Sequence, residues 1–180
     1  MPPHTRLSTR DMCFIAFFAA IIAICAQISF PLPSGVPLTL QTFAVLLAGI
    51  VLGPKKGALA VIVYILLGAA GIPVFTQFRG GINVIAGPTG GFILSFPIMA
   101  FAAGIGAGKN SVIGLASGLT GGVAINFFSG MLFFSFIMSA GLRTAFAATV
   151  LPFIPGAVIE IVLLTVTGGR IVTTLKRLLQ

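Results

Sequence analysis

Charge is scarce in this chain, and acidic charge scarcest. Only 7% of its 180 residues are charged, and two of those are acids, Asp11 and Glu160. Globular domains in water carry roughly 25% charged residues, so a solvent-facing surface of the ordinary kind is excluded. Tryptophan is absent, which removes the common marker of the membrane interface and leaves phenylalanine as the main aromatic. The one histidine, His4, stands in the N-terminal tail. No Ser–His pair, HExxH zinc motif or paired-aspartate arrangement can form in the interior, and no catalytic constellation remains. No Walker A lysine follows the glycines of the chain, so nucleotide hydrolysis is not expected of it. The two cysteines, Cys13 and Cys25, fall in one apolar run, about 18 Å apart if that run is helical. They cannot bridge and read as small apolar packing residues.

What is present is apolar sequence. Mean hydropathy is +1.19, and several runs approach or exceed the ~20 residues that cross a bilayer as a helix. The chain reads as an all-α membrane protein with six spans in one domain over 1–180. "LSTRDM" is a helix start, with Ser8 as cap and Asp11 three residues on to return a hydrogen bond. The spans run from about 12 to 30, 38 to 52, 58 to 74, 91 to 107, 112 to 138 and 148 to 167. "PLPSGVP" (Pro31–Pro37) separates the first two, and "GPKKG" (Gly53–Gly57) is a tight basic turn. "SAGLRTAF" reads as a loop, and the glycine-rich stretch after Val74 is a poor helix start.

The net charge of +8 and pI near 11.0 would suggest nucleic acid in a soluble protein. Here the basic residues lie between apolar runs and read as topology signals instead, so no nucleic-acid partner is expected. With six spans, eight of them (Arg6, Arg10, Lys55, Lys56, Lys109, Arg170, Lys176, Arg177) share the side of the termini. Two, Arg79 and Arg143, fall opposite. Cytoplasmic loops collect Lys and Arg, so both termini are expected in the cytoplasm.

Arg79 therefore stands on the outer side, against the bias, in "FRGGINVIAGPTGGF" (Phe78–Phe92). Its planar fork suits a carboxylate, and Gly80 and Gly81 beside it permit close backbone approach. An arginine held by lipid headgroups is the alternative. The "GPTGG" turn (Gly87–Gly91), with Thr89, can bring N–H groups at a helix start toward an anion or carbonyl, or be a plain turn. Glu160 is the one acid inside a span. An ionisable group at membrane depth is a functional candidate, its partner being Arg79, Arg143 or a ligand N–H; a structural salt bridge is the other reading. Asn126, mid-span, and Asn83, in the loop, need partners if buried: they glue helices or read a polar ligand, and for Asn126 alone glue is favoured. Gln41 and Thr39 open the second span and can line the same outer cavity. Tyr64, Phe75, Phe78 and Phe92 are candidate apolar contacts. Small residues at helical spacing (Ala16 with Ala20, Ala19 with Ala23, Gly104 with Gly108, Gly114 with Gly118) permit close helix contact, within the bundle or, for the first helix, with a partner protein. One intramembrane acid without a repeat poorly supports an autonomous proton-coupled transporter. The residues suggest a small binding protein, open to the outside, without an energy source of its own.

"PLTLQTFAVLLAGIVLGPKKGALAVIVYILLGAAGIPVF", then "GGINVIAGPTGGFILSFPIMAF", then "PFIPG", resemble the BioY family in order and spacing, over nearly the whole chain. The resemblance implies the six-helix substrate-binding component of an energy-coupling-factor (ECF) transporter, in a bacterial or archaeal cytoplasmic membrane. Such a component captures biotin from outside and binds no cofactor. A transmembrane coupling protein and two cytosolic ATPases, which hydrolyse ATP, supply the energy. By the same resemblance Arg79 takes the valerate carboxylate, Asn83 belongs to the polar wall, the GPTGG turn shapes the floor, and Ala16, Ala20 and Ala23 dock on the coupling protein. In "PGAVIE" (Pro155–Glu160) Ala157 stands where the family usually has aspartate and Glu160 where it has lysine. Residues three apart share a helix face, so Glu160 can accept the ureido N–H groups, and Arg79 is left as the obvious carboxylate partner. A related apolar acid, such as lipoate or dethiobiotin, and a stand-alone small-solute permease are the alternatives.

Overall fold

The computed structural model describes residues 7–109 and 111–179, and His4 and Arg6 lie outside them. The first helix, α1 (Thr9–Gln27), starts where the capping pattern places it. Ser8 is extended, and its backbone N–H donates to Asp11 Oδ2 at 3.3 Å, satisfying a group that the first turn would leave orphaned. Two short strands follow, β1 (Ser29–Phe30) and β2 (Leu38–Thr39), paired antiparallel with Ser29 opposite Thr39. They pin the proline-rich loop between them, which turns at Gly35 (φ 80°).

The second helix, α2 (Gln41–Ala69), is a hairpin rather than a rod. Gly53 has φ 79° and ψ 175°, a region essentially reserved for glycine, and Pro54 beside it has no N–H to continue the ladder. The side chain of Gln41 meets that of Tyr64, 23 residues on, at 3.0 Å; a straight helix would hold them about 34 Å apart. A Cβ on Gly57 would lie 2.7 Å from Gly49 Cα. The two arms are the expected second and third spans, the third starting at Pro54 rather than at 58 because the turn is so tight.

A single turn, α3 (Ile82–Ile85), interrupts the glycine-rich segment before α4 (Gly90–Gly108) and α5 (Val112–Ile137). The expected loop at "SAGLRTAF" is instead largely helical. It enters α6 (Leu142–Thr149), which buries Ala145 and Thr149 and ends before a 3₁₀ turn at Leu151–Phe153. Pro152 cannot donate and disfavours helix in the residue before it. The last span, α7 (Ile154–Leu179), therefore begins at 154 and not at 148. Counting both arms of α2, the described residues form six apolar rods: α1, the two arms, α4, α5 and α7.

Close contacts order the ends. Asp11 pairs with Lys56, a Cβ on Gly104 would strike Pro54, and Gly168 lies beside Leu115 and Ile50. The start of α1, the Gly53 turn, the α4–α5 connection and the later part of α7 thus share one end. The β1–β2 loop and the segment around Arg79 form the other. The core lies between the arms of α2 and helices α4 and α5, around Leu46, Tyr64, Met99 and Leu119, all fully buried. Glycines make that approach possible: a Cβ on Gly49 would run into the Ala100 carbonyl, and Gly106 and Gly118 sit backbone to backbone. In a bilayer, helix association rests on such packing and on interhelical hydrogen bonds rather than on hydrophobic burial.

Candidate functional site

A cavity opens at the end opposite the Gly53 turn, between the two loops of that end and the start of the hairpin on one side and α4, α5 and α7 on the other. It offers about 180 Å³ to the centres of water molecules. At roughly 10–15 Å³ per water by this measure, that suits a small organic molecule and is far too large for a bare ion.

The bed is apolar. Phe75, Phe92, Phe96, Met99, Phe127 and Phe153 contribute to it. Phe92 and Phe153 stack with centroids 6.3 Å apart and planes 25° from parallel, and Phe92 packs where Gly130 leaves no room for a Cβ. Phe75 is 2% exposed; its ring meets Tyr64 edge-on at 5.5 Å and fills the space that glycine at 68 leaves open.

The polar groups are few and fixed. Asn126, 1% exposed, donates through Nδ2 to the Phe92 carbonyl at 2.9 Å and to Ser95 Oγ at 2.8 Å. Because the Phe92 carbonyl can only accept, the amide orientation is determined, and Oδ1 is the atom left over. Oδ1 is buried without a partner, an arrangement that costs about 1–3 kcal/mol unless a donor enters. Glu160 Oε1 accepts from the Thr42 hydroxyl at 2.9 Å. No ion pair joins it to Arg79 or Arg143 among the described residues, so the salt-bridge reading of Glu160 falls away. Gln41 donates through Nε2 to Tyr64 Oη, which leaves its Oε1 toward other donors. Arg79 stands exposed at the rim, its Nη2 donating to Gln77 Oε1. Among the described residues no other side chain hydrogen-bonds to that guanidinium, so its remaining N–H groups are open to an anion.

Arg79, Gln41, Thr39, Thr89, Phe92, Asn126 and Glu160 thus come together on one cavity wall or rim. Other candidates do not. Tyr64 is fully buried behind the wall and acts through Gln41 and Phe75. Asn83 is exposed on α3, outside the cavity: Ile85 is the buried residue of that single turn, which leaves Asn83 facing away. Phe78 is 73% exposed and also outside. The approach that Gly80 permits is to the carbonyls of Gly71 and Ile72, not to a ligand. The N–H groups of Gly90, Phe92 and Ile93 already bond to the carbonyls of Gly87 and Thr89, so the start of α4 is not free for an anion at those positions. Of the GPTGG turn only Thr89 lines the cavity; Gly90 packs against the Ile85 carbonyl and Phe133, and Gly91 against α5. On α1, Ala16 and Ala20 face outward, whereas Ala23 is half-buried against the core because Ala19, Ile22 and Ala26 turn inward. Thr42, Ser95 and Phe153 are site residues that patterning alone does not single out; Thr42 had a signal only in adjoining Gln41 at a helix start.

The chain is similar to known proteins in sequence and in fold. The chain is 41% identical over 165 residues to a probable biotin transporter BioY of Pyrococcus horikoshii, covering 92% of this chain and 98% of that one. It is 39% identical over 164 residues to the biotin transporter BioY of Thermotoga maritima, covering 90% and 95%. A crystal structure at 2.1 Å of the S-component for biotin from an ECF-type ABC transporter superposes with a TM-score of 0.80 at 30% identity, over 89% of each chain. These relatives are transport proteins rather than enzymes, in keeping with the apolar rods of this chain and the cavity between them. With the BioY family model matching residues 2–177, the chain belongs to the BioY family.

Proposed function

We propose that this chain captures biotin, as the substrate-binding component of an ECF-type uptake transporter in a bacterial or archaeal cytoplasmic membrane. The observation that carries this is the apolar, aromatic cavity with Asn126 and Glu160 in its wall and Arg79 at its rim. Biotin offers two ureido N–H donors at one end, an apolar ring and chain between, and a carboxylate at the other. Asn126 Oδ1 and the Glu160 carboxylate accept the ureido donors, Phe75, Phe92 and Phe153 hold the ring and chain, and Arg79 at the rim takes the carboxylate through charge-assisted bonds.

On this reading the eight basic residues on the side of the termini put that end in the cytoplasm and the cavity outside. The chain acts as one membrane domain and binds no cofactor. A transmembrane coupling protein docks on the outward stripe of Ala16 and Ala20, and two cytosolic ATPases hydrolyse the ATP. Reconstitution in liposomes tests the division of labour. The chain alone should bind labelled biotin without accumulating it, and accumulation should require the coupling protein, the ATPases and internal ATP. Uphill accumulation by the chain alone would identify a stand-alone permease.

A further inference from the structure

The loop that carries Arg79 has an unusual backbone. Gln77 and Phe78 both have positive φ, 60° and 54°, a left-handed conformation that residues other than glycine seldom adopt, and here two adopt it in succession. Such a turn persists only where its surroundings over-determine it. Part of the restraint is internal: Phe75 and Arg79 exchange backbone hydrogen bonds at 2.9 and 3.2 Å, closing the turn, and the Phe75 ring anchors its start. Beyond the turn, the Gly81 N–H donates to the Gly68 carbonyl at 2.7 Å, and a further restraint comes from one side chain of another helix. Gln27, in the last turn of α1, accepts at Oε1 from the Phe78 N–H at 2.9 Å. Its Nε2 lies 3.2 Å from the Val74 carbonyl and 3.1 Å from those of Phe75 and Ala23. All three are acceptors and the Phe78 N–H is a donor, so the amide fits one way round.

We propose that Gln27 is the positioning residue for Arg79: by gripping both limbs of the 74–78 turn from α1, it fixes where the guanidinium stands over the cavity. The proposal rests on Arg79 taking the ligand's carboxylate. Gln27 touches only backbone in this turn, so it serves no bond to the ligand, and its effect passes through the placement of Arg79. Binding energy from a charged fork depends on that placement, since two parallel bonds need the planes aligned.

The test measures binding of biotin and of its uncharged carboxamide to the full chain in detergent, for Arg79→Ala, Gln27→Leu and the double variant. Arg79→Ala should weaken the acid about 10- to 100-fold, the range of hydrogen bonds to charged groups, and the carboxamide less than about 3-fold. Gln27→Leu should weaken the acid about 10-fold and spare the carboxamide. The double variant should be no weaker than Arg79→Ala, because the two residues act in series. Hydrogen exchange at the Phe78 amide should quicken at least about 10-fold in Gln27→Leu, having lost its acceptor. Should that variant fail to fold, Gln27→Glu replaces it: it keeps the acceptor for Phe78 but sets an oxygen against the carbonyls of Val74 and Phe75, and should lose the acid selectively too. Equal losses for acid and carboxamide, additivity with Arg79→Ala, or unchanged exchange at Phe78 would each overturn the role of Gln27. If Arg79→Ala itself fails to distinguish acid from carboxamide, the carboxylate role falls and this proposal with it; if Arg79→Ala distinguishes them and Gln27→Leu does not, only this proposal falls.

Discussion

Replacing Asn126 with leucine separates a ligand-reading amide from helix glue, because the two roles predict opposite patterns. Leucine is close in size and removes every polar atom. Without ligand, the change loses two hydrogen bonds, to the Phe92 carbonyl and to Ser95 Oγ, at about 0.5–1.5 kcal/mol each. It also removes the buried unpartnered Oδ1, which returns about 1–3 kcal/mol. The Phe92 carbonyl is not orphaned, since Ser95 Oγ still donates to it at 3.0 Å. The terms nearly cancel, so the free protein should unfold within about 4 °C of the parent, a shift of about 1 kcal/mol for a chain of this size. With ligand the balance changes: a biotin N–H enters the cavity and finds no acceptor, at about 1–3 kcal/mol, or roughly 5- to 150-fold in affinity. Thermal unfolding in detergent and calorimetric titration read the two effects on the same sample. A variant that unfolds far below the parent yet binds biotin unchanged would show that Asn126 only joins α5 to α4, and would refute the assignment.

Other residues give sharper yes-or-no outcomes. Gly53→Ala forces a Cβ into a backbone conformation open essentially to glycine and should cost about 1–3 kcal/mol, seen as a lower unfolding temperature; an unchanged one would contradict the hairpin geometry. Tyr64→Phe removes the acceptor of a buried Gln41 Nε2, so biotin affinity should fall about 3- to 10-fold, the worth of one ordinary hydrogen bond, while unchanged affinity would show that Gln41 needs no bracing.

The long apolar runs were legible because length and hydropathy alone define a span: α4 and α5 fall within a residue of their expected limits, and α1 starts at the Ser8–Asp11 cap. The Gly53–Gly57 turn was legible too, since glycine followed by proline allows little else. α6 was not. Eight residues are too few to show a period, and its helix is set by Pro152 after it and by burial of Ala145 and Thr149 against the bundle. Among the site residues, Arg79 stood out because it opposed the charge bias, and Glu160 because it was the one acid in a span. Tyr64 was placed on the wall for want of any means to tell a lining ring from one a layer behind it. Asn83 was misplaced because the turn of α3 decides its direction. Gln27 was invisible, since its partners are backbone groups 47 to 51 residues away and no sequence pattern records them.

Calorimetric titration of the purified chain with biotin, with lipoate and dethiobiotin as comparators, tests the central claim most directly; the absence of tryptophan leaves no indole fluorescence to follow. Saturable one-to-one binding of biotin, tighter than of lipoate, which lacks the ureido donors, would show that Asn126 and Glu160 read those donors with Ala157 and Glu160 in "PGAVIE". Absence of biotin binding by a folded chain that binds lipoate would contradict the account and mean that this stretch has re-specified the cavity.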